Sequence, residues 1–404
     1  MLAKHRVTVS LIVLTLILIS GIVAIFWARG FKPDFKTGRI ERTGLIVAAS
    51  TPTGAQVYLD DRLTSATDTN IAFLDPKTYK IRIQKDGYTT WQKEVEVKAD
   101  LATEINAFLF PLAPEIKPLT TTGAANPILS PDGSKIVYGV SGERGGIFLM
   151  PLSDRPFPFR QDARTLAKNR LGLDFAGAQF IFSPDSKQVI ARFIGPQEQA
   201  LANLLIDTEE TDQEPRDITA SLSATLALWQ EQLDTRAQTQ ALTVPDSVKE
   251  ATAEAQAVTS DKGQVTSQNT KRSQADSSLI TNHLSLNYFP AGLIFSPDEE
   301  KILYIDKNGS HKVYDLKNKK EFTLPDFADL LAISWYPDSN HLVVAQKDLI
   351  SVIEADGENM VTVHSGKFEN GFVFAHPSAT RLIILTTLTQ TEGTPANLYS
   401  INLR

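Results

Sequence analysis

A single corner of the chain is written five times. It reads Ser296-Pro297-Asp298-Glu299-Glu300-Lys301-Ile302-Leu303-Tyr304, with copies beginning at Ser130, Ser183, Tyr336 and His376. The copies at 296, 336 and 376 start 40 residues apart, and self-similarity at such a period means an array of similar supersecondary units. Proline presets φ for the first bend of a turn, and Asp, Ser or Gly suits the positions that follow. Around the third copy, an apolar run at 292–295 leads into the corner, and β-rich runs at 302–305, 311–316 and 320–324 lead away. Four strands in about forty residues is the period of a propeller blade. The plain alternative is a set of unrelated hairpins with ordinary Pro-Asp turns, which five copies in register disfavour.

The two ends of the repeat region complement each other. Residues 115–119 read as the outer strand of a blade that has no blade, and 397–403 as a third strand without an outer neighbour. Pairing them hides both edges, which predicts a closed ring of five blades over 113–404, with six blades as the alternative. The copies at 183 and 296 stand 113 residues apart, so an insertion of about 209–282 interrupts the ring. Its middle, Ser247 to Ser278, is rich in Ala, Gln, Thr, Ser, Asp and Lys, a composition that predicts disorder or frayed helix. Residues 221–241 differ, because Leu222, Leu226, Trp229 and Leu233 fall on one helical face. That stripe docks on the propeller or grips a partner, with Trp229 as a candidate binding residue. Docking within the chain is the plainer reading.

The 404 residues leave room for two or three domains. A formal charge of -7 offers no basic footprint for nucleic acid, and the absence of cysteine excludes disulfides, thiolate metal sites and cysteine nucleophiles. After a tail of residues 1–6, the stretch 7–27 is uncharged and mostly aliphatic. As a helix it extends about 31 Å, which predicts a transmembrane signal anchor followed by a linker at 28–42. A cleaved signal peptide has a shorter apolar core. Arg29, Lys32, Lys36, Arg39 and Arg42 outnumber Lys4 and Arg6, which by the positive-inside rule favours a cytoplasmic C-terminal side. Long following domains translocate largely regardless of such a count.

Residues 43–111 alternate strand and turn signals, as expected of a small antiparallel β-sandwich. Pro52-Thr53-Gly54-Ala55 precedes Val57-Tyr58-Leu59-Asp60, and Leu74, Pro76, Tyr79, Lys85, Gly87, Tyr88 and Trp91 follow at characteristic spacings. At these residues the stretch resembles a PEGA domain, departing from its signature at Thr53. The corner at 130–135, Ser-Pro-Asp-Gly-Ser-Lys, and the strand after it resemble WD-repeat-like blades of the TolB type. The PEGA resemblance implies a protein of the bacterial cell envelope with its domains outside the membrane. Tyr58, Tyr88 and Trp91 are candidates for a sugar-stacking face, although such aromatics are more often core.

Catalytic motifs are missing: no Gly-x-x-x-x-Gly-Lys loop, no Gly-x-Ser-x-Gly and no His-Glu-x-x-His occurs. The six histidines contain no i, i+3 or i, i+4 pair, and His341 and His376, at corner positions, read as solvated. Asp132, Asp185, Asp298 and Asp338 recur once per blade, and turn chemistry alone calls for Asp there. The expectation is therefore a mainly β, membrane-anchored protein without cofactor, metal or catalytic residue. It binds an envelope protein or a cell-wall glycan. The alternative is an extracytoplasmic hydrolase of peptide or glycan, with its site in the propeller funnel.

Overall fold

The computed structural model describes residues 2–28, 31–34, 39–152, 163–197, 199–265, 286–369, 371–388 and 393–404. The chain divides into two compact units, Met1–Ala113 and Pro114–Arg404, and strands dominate both.

The first unit opens with helix α1 (Leu2–Ala28), which takes in the expected tail as well as the expected span. Its side chains are described over residues 10–25, all of them exposed. Among the described residues, no helix is long and apolar enough to cross a membrane. Strands β1 (Phe31–Asp34) and β2 (Arg39–Arg42) then pair antiparallel. The stretch read as a linker thus carries a hairpin, whose two four-residue strands are too short to stand out by periodicity.

Strands β3 (Gly44–Thr51), β4 (Gln56–Leu59), β5 (Arg62–Ala66), β6 (Thr69–Leu74), β7 (Thr78–Gln84), β8 (Trp91–Glu96) and β9 (Ala102–Phe108) make two sheets, ordered β6-β3-β9 and β5-β4-β7-β8. Ile46, Ala48, Val57, Ile81, Ile83 and Trp91 are buried between them, and full burial of each large side chain stabilises by about 1.5–3 kcal/mol. One expectation fails here. Strand β9 runs parallel to β3, from Leu45 beside Ala102 to Thr51 beside Phe108, so the sandwich is mixed rather than antiparallel. Alternation of apolar residues fixes which face a strand presents and is silent about its direction.

Among its described residues the second unit contains five four-stranded sheets. Strand β10 (Ile116–Pro118) comes first and belongs to the last sheet. Blade 1 is β11 (Ala125–Leu129), β12 (Lys135–Val140), β13 (Gly146–Pro151) and β14 (Arg164–Lys168); blade 2 is β15 (Gln179–Phe182), β16 (Gln188–Ile194), β17 (Ala200–Asp207) and β18 (Arg216–Asp217). Helices α2 (Leu222–Ala241) and α3 (Asp246–Val265) follow. Blade 3 is β19 (Ile294–Phe295), β20 (Lys301–Ile305), β21 (His311–Asp315) and β22 (Lys320–Thr323). Blade 4 is β23 (Leu330–Trp335), β24 (His341–Gln346), β25 (Leu349–Glu354) and β26 (Val361–Ser365). Blade 5 is β27 (Val373–Ala375), β28 (Arg381–Thr386) and β29 (Asn397–Asn402), completed on its outer edge by β10. The closing pairs are Ile116 with Ile401, Lys117 with Ser400 and Pro118 with Tyr399. Pro118 has no N–H to donate, and an edge strand is where a sheet tolerates that.

The described part of the insertion is more ordered than its composition suggests. Helix α3 covers residues 246–265, with Val248 fully buried and Thr252 buried beside it, while 266–282 lies outside the described residues. Small residues line its contact face, so a buried stripe exists with few large apolar groups to announce it. Leu222, Leu226, Trp229 and Leu233 of α2 are buried within the propeller unit, so the stripe docks in cis.

Candidate functional site

The five corners share one backbone. The amide of the fourth residue donates to the carbonyl of the first in each: Gly133 to Ser130, Ser186 to Ser183, Glu299 to Ser296, Ser339 to Tyr336 and Ala379 to His376, at 2.8–3.0 Å. Those fourth residues all adopt positive φ, between 54° and 69°, although only one is glycine. In the first three corners the serine hydroxyl donates to the carboxylate two residues on, at 2.5–2.6 Å, and that carboxylate also accepts a backbone amide at 3.0–3.1 Å. Burial pushes Asp132, Asp185 and Asp298 up, yet the serine and backbone hydrogen bonds outweigh it and hold each below the usual carboxylate range. These carboxylates are turned onto their own corners.

The fourth and fifth corners vary the chemistry. Asp338 accepts from the amides of Asn340 and His341 and meets His341 Nδ1 at 2.7 Å. Burial raises Asp338, and the histidine and amide bonds bring it below its ordinary value. In the fifth corner the His376 ring stands in for the Ser–Asp pair, accepting from the Ser378 amide at 3.2 Å and meeting Arg381 at 3.0 Å. Both histidines are buried, 5% and 2% exposed, and not solvated. Each ring is folded back into its corner by these hydrogen bonds.

Corners lead into the cavity. A space of about 710 Å³ is lined by the ends of the inner strands of blades 1, 3 and 4, by Pro184 of blade 2, by α2 and by residues 288–291. That volume lies in the range of small-molecule and peptide sites. Its walls are largely apolar: Leu129, Leu233, Phe289, Ile333 and Trp335, with the rings of Pro131, Pro184, Pro290 and Pro297. Trp335 is fixed by donation from Nε1 to the Ile294 carbonyl at 2.8 Å, and Tyr288 by donation to the Phe182 carbonyl at 2.6 Å. Burial raises the Tyr288 phenol well above its usual range, so it stays a neutral donor. Phe289 is 42% exposed, and Arg236 of α2 is exposed at the wall. Among the described residues no group of His, Asp and Glu is arranged to hold a metal ion.

The three aromatics of the first unit do not form one face. Trp91 pairs across the sheet with Ile83 and is 5% exposed in the core, whereas Tyr58 pairs with Arg82 on the opposite side of that sheet. The Arg82 guanidinium stands 4.2 Å from the Tyr58 ring centroid, and the Tyr58 hydroxyl donates to Gln56 at 2.9 Å. Tyr88 is half-buried against the core. Successive strand residues alternate faces, so residues 83 and 82 carry their partners apart. Trp229 is likewise removed from solvent, packed with Ile190 and Leu205 of blade 2. Sequence reasoning missed Phe289 and Arg236, which belong to no repeat and acquire their place only through the docked insertion.

Residues 43–111 match the family model of the PEGA domain. No curated protein sequence matches the chain. Among solved structures, a protein assigned as TolB from Agrobacterium tumefaciens is similar at 11% identity, over 78% of this chain and 81% of that one, with a TM-score of 0.24. TolB from Acinetobacter baumannii is similar at 11% identity over 86% and 63%, with a TM-score of 0.21. An oligogalacturonate lyase in complex with manganese is similar at 9% identity over 81% and 86%, with a TM-score of 0.30. Scores this low carry no property across, and the propeller rests on its own strand pairing.

Proposed function

We propose that this is a non-enzymatic envelope protein, tethered to the membrane by α1, whose propeller holds an extended segment of a partner protein in its cavity. The observation that carries the binding reading is the cavity itself. Its walls are mostly aromatic, aliphatic and proline rings; the Asp132 and Asp298 carboxylates are consumed by their turns, and Glu299 accepts from Gln240 of α2. A polypeptide with apolar side chains suits such walls better than a glycan, which needs many unengaged donors and acceptors. Arg236 adds one cation at the wall for an acidic group on the partner. The tether is supported by α1, where Leu11, Leu14, Leu16, Ile17 and Leu18 are all exposed on a helix with no polar face. Hydrocarbon is the medium in which such a surface is stable. The PEGA match at residues 43–111 supports an envelope setting, with that module and the propeller outside the membrane.

The test uses the full chain in detergent, immobilised and exposed to envelope proteins and to purified cell-wall glycans. Retention of an envelope protein is expected, falling about tenfold or more in Phe289→Ala and Arg236→Glu with unchanged melting. Retention unaffected by both substitutions, capture of glycan alone, or turnover of a peptide or glycan refutes the reading. Protease shaving of intact cells tests the topology, since a protected propeller places it inside.

A further inference from the structure

Each blade of a propeller has two faces, and in this ring most of them meet a neighbouring blade. Val137, Ile147 and Leu149 of blade 1 pack with Val189, Ala191 and Leu204 of blade 2. Ile136 and Tyr138 of blade 1 pack with Ile383 and Leu385 of blade 5, and Leu303 and Val313 of blade 3 pack with Leu342 and Val344 of blade 4. Corners join as well: the Asp132 amide donates to Ser186 Oγ and the Asp298 amide to Ser339 Oγ, both at 3.1 Å, and Tyr336 Oη donates to the Ala379 carbonyl at 2.7 Å.

Blades 2 and 3 are the exception. The remaining face of blade 2, Ile181, Ile190 and Leu205, is covered by Leu222, Leu226 and Trp229 of α2. The remaining face of blade 3, Ile302, Tyr304 and Tyr314, is covered by Val248 and Ala251 of α3. Neither cluster contains a strand residue of the opposite blade. At the corner position of blade 3 that matches Ser186 and Ser339, Glu299 takes its contact from Gln240 of α2, at 3.4 Å. The returning segment stitches the pair together. Gln230 of α2 exchanges two hydrogen bonds with the Asn287 backbone, at 2.9 and 3.2 Å, and Gln256 of α3 donates to the Pro290 carbonyl at 3.2 Å. Tyr288, from the same segment, reaches blade 2.

We infer that α2, α3 and residues 286–293 form a surrogate sixth blade, a helical sector that closes the ring between blades 2 and 3. A helix is about 10 Å across and packed sheets stand about 10 Å apart, so a layer of helix takes the space of one more sheet. The same sector supplies Leu233, Arg236, Ala237 and Gln240 to the cavity wall. One wall of the candidate site is therefore built from helix rather than from repeat.

Hydrogen exchange on the full chain carrying Trp229→Ala tests this, since the substitution opens the packing of α2 on blade 2 without altering any strand. Loosening a shared sector is expected to speed exchange in β16 and β20 together by about tenfold or more, with β24 and β28 unchanged. Acceleration confined to α2 and blade 2 overturns the proposal, because independently docked helices behave that way. A second variant replaces residues 222–288 by a short Gly/Ser linker. Exposure of two unmatched apolar faces is expected to abolish the cooperative melt or make those strands exchange freely. Melting within about 2 °C of the parent, with β16 and β20 still protected, means the blades close on each other directly and the proposal fails.

Discussion

Replacing Thr120 by valine isolates the chemistry that holds the ring shut. Thr120 is buried just beyond β10, where its hydroxyl donates to Asn397 Oδ1 at 3.0 Å and accepts from the Leu398 amide at 2.9 Å. Asn397 Oδ1 also accepts the Gly123 amide at 2.9 Å, so one hydroxyl and one carboxamide tie the entry of the unit to its last strand. Valine keeps the shape and removes both bonds. The Leu398 amide is then left buried with its partner gone, a cost of about 1–3 kcal/mol. For a unit of this size about 1 kcal/mol moves Tm by roughly 2 °C, so Thr120→Val should melt about 2–6 °C below the parent in calorimetry of the full chain. Thr120→Ser retains both bonds and loses only a methyl group, about 0.8 kcal/mol at most. A valine variant within about 1 °C of the parent, or a serine variant that falls equally far, shows that the ring does not depend on this latch.

Two further outcomes follow. Asp185 is held below its unfolded value, so its contribution is fully present above about pH 4 and is lost as pH falls through its folded value. Melting curves from pH 6 to pH 2.5 should therefore show the gap between the parent and Asp185→Asn narrowing with acid, and a constant gap counts against the turn role. In the first unit, Trp91→Ala should cost about 3–5 kcal/mol by opening the core, whereas Tyr58→Ala on the outer sheet face should cost less than about 1 kcal/mol. Denaturant unfolding that ranks the two equally contradicts the assignment of opposite faces.

The corners were legible because their physics is local. Proline, a short acceptor and a left-handed fourth residue specify the turn within a few positions, and repetition supplied the ring. The pairing of the two ends was legible too, since an orphan outer strand at 115–119 and a sheet edge at 397–403 each needed the other. What escaped was what depends on distant packing. Helix α3 hides its contact face in Val248, Ala251 and Thr252, too small to register as a stripe. Nothing in 102–108 tells which way β9 runs beside β3. His341 and His376 looked like exposed turn residues, yet each is an acceptor or donor folded into its corner, as Asp is elsewhere. The cavity wall was out of reach for the same reason, because Phe289 and Arg236 owe their position to helices docked from an insertion.

The short strand β10 has a mechanical meaning. It is the first strand of the propeller unit after residues 43–111, and its three residues are held laterally by β29. Under the proposed function, a partner gripped by the ring and a tether upstream of residue 114 would pull against each other through that pairing. Tension along the chain thus enters the ring at its seam, and peeling three residue pairs there is the first mechanical event it meets.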